Sequence, residues 1–281
     1  MSDITVVTTF HQPGLELYGQ RFIDSFEQNV AKRIKMVVYA EDCNPSNPDP
    51  EQITILNAKD ALPKLNAFKE RWKDVPKANG KCPPEIKARR PRDWNKEFKW
   101  DAVRFANKVY AVFDAWEKNS GWIVWMDADI FVHSPVNLKT WRGLLPENKY
   151  ITYVGRGKGS QTWPECGFYG LNKNHPVAHT FMEDFERMYE KAEDGIFKLQ
   201  EWHDSYVFGE VLKKYKQFNA EYDYSAEMYL KEAKTGGGGH PFINCVLGKY
   251  FDHMKGARKN EGRSKQSDLQ VTRTEEYWRN K

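Results

Sequence analysis

The chain has 281 residues, 40% of them hydrophobic and 14% aromatic, which is enough apolar material for a sizeable α/β core. Against 39 acidic residues stand 43 basic ones, and the resulting net charge of +4 is far short of what a nucleic-acid-binding surface needs. The four cysteines, Cys43, Cys82, Cys166 and Cys245, stand apart with no CxxC pair, which excludes a zinc module or disulfide framework and favours reduced thiols in a cytoplasmic protein.

Ile4 to Phe10 is short and rich in β-branched residues, the signature of a buried strand. It has strand length only, so neither a signal peptide nor a membrane span is expected. His11-Gln12-Pro13-Gly14 breaks the run, and a helical pattern follows through Phe22, Ile23 and Phe26. Ile34 to Tyr39 predicts a second strand and Ile53 to Leu56 a third. Strand, helix, strand with short breaks opens a parallel α/β sheet.

Residues 73 to 97 change character, with prolines, a glycine and the basic residues Lys87, Arg89, Arg90 and Arg92. This reads as a basic, proline-rich insertion: a plain exposed loop, or a lid over a site. Lys99 to Lys118 predicts an amphipathic helix with Val103, Ala106, Tyr110, Phe113 and Trp116 along one stripe. Asp101, Arg104 and Lys108 share another face. Tyr150 to Val154 predicts a strand, and Pro176 to Glu193 and Trp202 to Tyr215 predict helices. Residues 235 to 240, with four glycines, read as a hinge before a basic C-terminal segment.

The most informative stretch is Trp122-Ile123-Val124-Trp125-Met126, a buried strand that runs straight into Asp127-Ala128-Asp129. Alternate side chains of a strand share a face, so the two carboxylates can point the same way. They repel each other unless a positive charge lies between them. At the carboxyl end of a central strand, where open α/β sheets place their ligands, that charge is commonly a divalent ion. Hard carboxylate oxygens favour magnesium or manganese. The alternative is a pair of solvated turn residues.

Trp125-Met126-Asp127-Ala128-Asp129-Ile130-Phe131-Val132 resembles the DxD segment of GT-A glycosyltransferases, particularly glycogenin-like enzymes. Further segments fall in the family's order and together cover most of the chain outside the basic insertion. The resemblance implies a single GT-A (Rossmann-like) domain over residues 1 to 281, with a mixed, mainly parallel sheet flanked by helices. It also implies transfer of a sugar from a nucleotide diphosphate donor, by preference a UDP-sugar, to a sugar, lipid or protein acceptor that the residues do not name. No nucleic acid and no membrane is implied as a partner.

Residue by residue, the same resemblance implies that Asp127 and Asp129 hold Mn2+ or Mg2+ at the donor diphosphate, with Ala128 between them among the donor contacts. Phe251-Asp252-His253-Met254-Lys255-Gly256 is similar to the family's C-terminal histidine segment. His253 would complete the metal shell, and Lys255 or Arg258 would meet the phosphates. Thr8, Thr9 and Phe10 end the first strand, where the fold places the nucleotide. Lys108 corresponds roughly to a donor-contacting lysine of the preceding helix, and Arg104, one turn earlier, competes for that role. Pro164 to Gly170 resembles the small-residue loop after the next strand, with Glu165 reaching a donor or acceptor hydroxyl. Asp204 is either a helix cap or the acidic residue that reaches the reacting centre. Trp163 and Trp202 are placed to stack on sugar faces.

Rival readings remain at this point. A strand ending in DxD also opens haloacid-dehalogenase-type phosphatases, where the first aspartate is a nucleophile, although there the strand lies near the start of the domain. A sugar-nucleotide-binding protein without turnover would share the pocket.

Overall fold

In a computed structural model, which describes residues 3–82, 84–89, 97–160, 162–230 and 240–279, the β-branched run near the start forms strand β1 (Ile4–His11). It pairs in parallel with β2 (Lys35–Glu41) on one side and β4 (Trp122–Met126) on the other. The full sheet has seven strands in the order β3-β2-β1-β4-β7-β6-β8, where β3 is Ile53–Asn57, β6 Ile151–Val154, β7 Glu165–Asn172 and β8 Glu221–Asp223. Strand β7 runs antiparallel to both of its neighbours, and every other pairing in this sheet is parallel. This is the mixed, mainly parallel sheet flanked by helices that the sequence predicts.

Apolar residues cover both faces because alternate residues of each strand point to opposite sides. Val7, Ile123 and Trp125 join one core with helices α2 (Pro63–Trp72), α3 (Ala102–Lys118), α5 (Pro176–Glu190) and α6 (Asp204–Tyr215). Val6, Trp122, Val124 and Met126 join the other, with α1 (Gln20–Asn29), α4 (Leu138–Leu144) and Phe242, Leu247, Phe251 and Trp278 of the C-terminal region. All five residues of β4 are buried. At about 1.5–3 kcal/mol for each large apolar side chain, that burial fixes the strand and the position of whatever follows it. Among the described residues, no helix is long and apolar enough to cross a membrane.

Chain order reverses between β1 and β4, so the carboxyl ends of these two strands flank a crevice of the kind where open α/β sheets bind ligands. A second structure reaches this crevice. Strand β5 (Ile130–Val132), just beyond the two aspartates, pairs antiparallel with β9 (Phe251–His253), and Ile130 lies opposite His253.

Three expectations are corrected. Pro164 to Gly170 is no loop: from Glu165 onward it is strand β7, with all eight residues buried between β4 and β6. Its glycines and its polar ends, Glu165 and Asn172, hide the strand pattern. The helix expected from Lys99 starts at Ala102, because Asp101 takes the cap position and its side chain accepts a hydrogen bond from Arg104 N. The basic insertion is not plain loop either. Lys77–Asn79 forms a 3-10 turn that buries Ala78 in the core, and Pro84–Arg89 is helical. Residues 90–96 of that insertion and 235–239 of the expected hinge lie outside the described residues.

Candidate active site

At the end of β4 the backbone turns at once, with Asp127 N donating to Gly167 O of β7 at 2.9 Å and Ile130 N donating to Asp127 O at 3.0 Å. Met254 N in turn donates to Asp129 O, so the β5–β9 ribbon folds His253 back over both aspartates. His253 Nε2 lies 3.5 Å from Asp127 Oδ2 and 3.2 Å from Asp129 Oδ1. One ligand atom from each of the three residues falls within 4.8 Å of the others. Gly167 permits this approach: a Cβ there would lie 2.5 Å from His253 Cε1.

The donor set of two carboxylate oxygens and one imidazole nitrogen suits a divalent ion such as manganese or magnesium. A protein cation already stands beside it, since Lys259 Nζ lies 2.9 Å from Asp129 Oδ2. Residues and chemistry therefore fit a metal, which Asp127, Asp129 and His253 would hold.

Charge is dense here. Burial opposes the charge on His253, but Asp129, Asp127 and Glu165 outweigh it and hold the imidazole well above its usual range. Burial likewise opposes ionisation of Asp127, yet Lys108 and then His253 draw its carboxyl well below the usual carboxylate range. Asp129 is lowered too, by His253 and Lys259 against its own burial and the nearby Asp127.

Lys108 is buried, and its ammonium lies 3.0 Å from Asp127 Oδ1 and 2.8 Å from Asp204 Oδ2 and donates to Cys166 O. An ammonium has three hydrogens, and three acceptors take them. In this arrangement Lys108 ties α3 to the aspartate turn, to β7 and to α6. Arg104, one turn earlier, is largely exposed and paired back to Asp101. Asp204 opens α6, but the cap is His203, whose Nδ1 accepts from Tyr206 N at 3.4 Å while Nε2 meets Glu201 Oε2 at 3.0 Å. Freed from capping, Asp204 turns to Lys108 and so stands one ammonium away from Asp127.

Glu165 is turned toward the imidazole. It is 2% exposed and both oxygens are engaged, Oε1 with His253 Nδ1 at 2.9 Å and Oε2 near Arg156 at 3.4 Å and Lys255 at 3.7 Å. Its Oε1 faces the imidazole, while Oε2 faces the two cations. Lys255 therefore stands at Glu165. Arg258 forks onto both oxygens of Asp268 and is committed there.

The basic residue that reaches the acidic pair is Lys259, which sequence reasoning missed. Gly256 and Gly262 take left-handed backbone conformations on either side of the short helix Arg258–Glu261, and this turn brings Lys259 back over Asp129. Arg21 clips the turn from α1 by donating to Gly262 O, and the Lys259 ammonium lies over the Tyr18 ring. A basic run bracketed by glycines, close after a candidate ligand, is the signal that could have found it.

At the end of β1, Thr8 is fully buried and the Phe10 ring packs against Gly19. Thr9 Oγ1 is hydrogen-bonded to Tyr39 O and Glu41 Oε1. Beside Glu41 opens a groove of about 460 Å³ lined by Asp42, Lys59, Asn66, Lys69 and Lys73 among others. Ala128 is buried between the two aspartates. Trp202 is buried against Phe197, so it does not offer a face to sugar, whereas Trp163 stays half-buried beside His203. All four cysteines are free thiols.

No protein-family profile matches this chain, and no curated protein matches it. Solved structures similar to it include the glycosyltransferase GlyE of Streptococcus pneumoniae TIGR4, 9% identical over 79% of this chain and 45% of that one, with a TM-score of 0.40. Mouse xyloside xylosyltransferase 1 in its apo form is 10% identical over 79% of this chain and 84% of its own, with a TM-score of 0.42. The WbbM bifunctional glycosyltransferase, also apo, is 12% identical over 79% and 38%, again with a TM-score of 0.42. This chain spans less than half the length of GlyE and of WbbM.

Proposed function

We propose that this chain is a metal-dependent glycosyltransferase that moves a sugar from a nucleoside diphosphate donor, by preference a UDP-sugar, to an acceptor hydroxyl. The observation that carries the reading is the convergence of Asp127 and Asp129 from the end of β4 with His253 from β9 around one small volume. The DxD resemblance in the sequence points to the same residues. A manganese or magnesium ion bound there would act as a Lewis acid on the departing diphosphate.

The chain's own groups divide the remaining work. Lys259, held 2.9 Å from Asp129 by the glycine-bracketed turn, supplies a fixed positive charge for the phosphates, so charge stabilisation need not wait for solvent to reorganise. The groove beside Glu41 offers room for the nucleoside next to the end of β1. Asp204 lies across Lys108 from Asp127, where its carboxylate can orient the transferred sugar or its acceptor.

A thermal-shift panel of nucleotide sugars, each with and without manganese, tests the reading, because a ligand that binds the folded state raises the melting temperature. One nucleotide sugar should raise it only when manganese is present, and Asp129→Ala should remove both the shift and donor turnover while leaving the fold intact. Metal-independent shifts, or unchanged turnover in Asp129→Ala, would overturn it. A binding protein without turnover would show the shift and never consume the donor.

A further inference from the structure

Glu165 stands out among the groups that the proposed reaction leaves without a task. It is a carboxylate in the middle of the protein, 2% exposed at the first position of β7. Isolated burial of such a charge is costly, and cations that neutralise it offset the cost. Arg156 at 3.4 Å and Lys255 at 3.7 Å both approach its Oε2. The other oxygen, Oε1, is 2.9 Å from His253 Nδ1, on the far side of the ring from Asp127 and Asp129.

We infer that Glu165 is a positioning residue for the cation site, accepting the Nδ1 proton of His253 so that the Nε2 lone pair is aimed at the space between Asp127 and Asp129. This rests on the function proposed above. An imidazole has two nitrogens, and the bond made by one decides which of them can serve as a ligand. Carboxylate behind imidazole in front of metal is a recurrent arrangement, and loss of the outer carboxylate commonly weakens metal binding about 10- to 100-fold.

The neighbours constrain the ring in the same sense. Phe242 lies edge-on to the imidazole with centroids 5.2 Å apart, and His240 does so at 5.9 Å. Gly167, in the same strand as Glu165, leaves no room for the ring to swing toward β7. Arg156 and Lys255 keep Oε2 occupied, so Oε1 remains the oxygen presented to the ring.

The test measures manganese affinity of the nucleotide-free protein by calorimetry, in wild type and in Glu165→Gln, with the melting temperature of each metal-free protein as a check on folding. The expected result is a 10- to 100-fold loss of affinity with a melting temperature that stays cooperative. A second readout is the His253 Nδ1–H proton resonance in the magnesium-loaded protein, identified by its absence in His253→Ala. It should be present in wild type and lost or displaced in Glu165→Gln. Unchanged affinity in a folded Glu165→Gln protein, or an unchanged resonance, would overturn the assignment. If wild type itself binds no divalent ion, the proposed function fails along with it; if wild type binds and the variant binds equally well, only the role of Glu165 fails.

Discussion

Lys108 and Asp204 form an ion pair of 2.8 Å inside the protein, and the same ammonium lies 3.0 Å from Asp127. One buried cation thus joins four elements: α3, which carries it, the turn after β4, strand β7 through Cys166 O, and the start of α6. Removing a partner from such a group leaves charge buried without compensation, which costs far more than the net contribution of the pair.

Lys108→Met should therefore destabilise the protein by about 3 kcal/mol, measured by urea denaturation. The double variant Lys108→Met/Asp204→Asn should recover part of that loss, because one of the stranded carboxylates is neutralised. A loss below about 1 kcal/mol in the single variant would mean that solvent reaches the ammonium and that it is no strut.

Gly167→Ala tests the closeness of β7 to the imidazole. The added methyl would sit 2.5 Å from His253 Cε1 and 2.8 Å from Nδ1, so the ring must move. Overpacking of this kind costs about 1–3 kcal/mol. If His253 is a ligand, manganese affinity should also fall at least about tenfold, in line with other losses of ligand orientation. A stable variant that binds manganese as wild type does would show that the imidazole is not required.

Much of the architecture can be read in the residues, and the reasons are specific. Strands β1, β2, β4 and β6 are short apolar runs bounded by breakers, and α3, α5 and α6 carry stripes at helical spacing. Strand β7 escaped because a strand buried on both faces between two others need not alternate, and its glycines, which the closeness of His253 and Gly170's neighbours requires, resemble loop chemistry. The acidic pair and His253 were legible as residue types in a known order. The partners of Lys108 and Glu165 were not, because each is chosen by a contact between elements distant in the chain. Lys259 was missed for a related reason: its direction depends on two glycines in left-handed conformation, which spacing alone does not reveal.

Lys259→Met should separate metal from donor. The ammonium competes with any bound cation for Asp129, so its loss should raise manganese affinity in the absence of nucleotide by a few-fold. Affinity for a nucleoside diphosphate in saturating manganese should fall about tenfold or more, as expected when a charge-assisted contact to phosphate is lost. Calorimetry in both conditions checks this. If both affinities drop together, Lys259 supports the turn and nothing more.

Acid should weaken the metal-free protein in two stages. Burial pushes the imidazoles of His133 and His240 down to about 4. A depressed histidine contributes stability that is present above the unfolded value of about 6.5 and is lost as pH falls toward 4, which amounts to about 2 kcal/mol for each ring between neutrality and pH 5. The raised His253 runs the other way: its contribution is complete below about 6.5 and is lost only as pH rises through its folded value, so it does not mask the acid loss. Below about pH 4, protonation of Asp127, Asp129 and Glu165 adds a second decline. His133 stacks on Tyr277 with ring centroids 4.2 Å apart. His133→Phe should keep that contact and halve the first-stage loss in urea denaturation at pH 7 and pH 5. An unaltered pH profile would assign the decline elsewhere.

The β5–β9 ribbon also sets an order of assembly. The imidazole that faces Asp127 and Asp129 comes from a short strand far downstream of them in the chain. As the polypeptide leaves the ribosome, Asp127 exists with Lys108 as its counter-charge, and Asp129 beside it, well before His253 and Lys259 are made. Competence to hold a cation with all three side chains is acquired only once β9 stitches itself onto β5, and any event that unpicks those few residues would disarm the centre while leaving the large sheet standing.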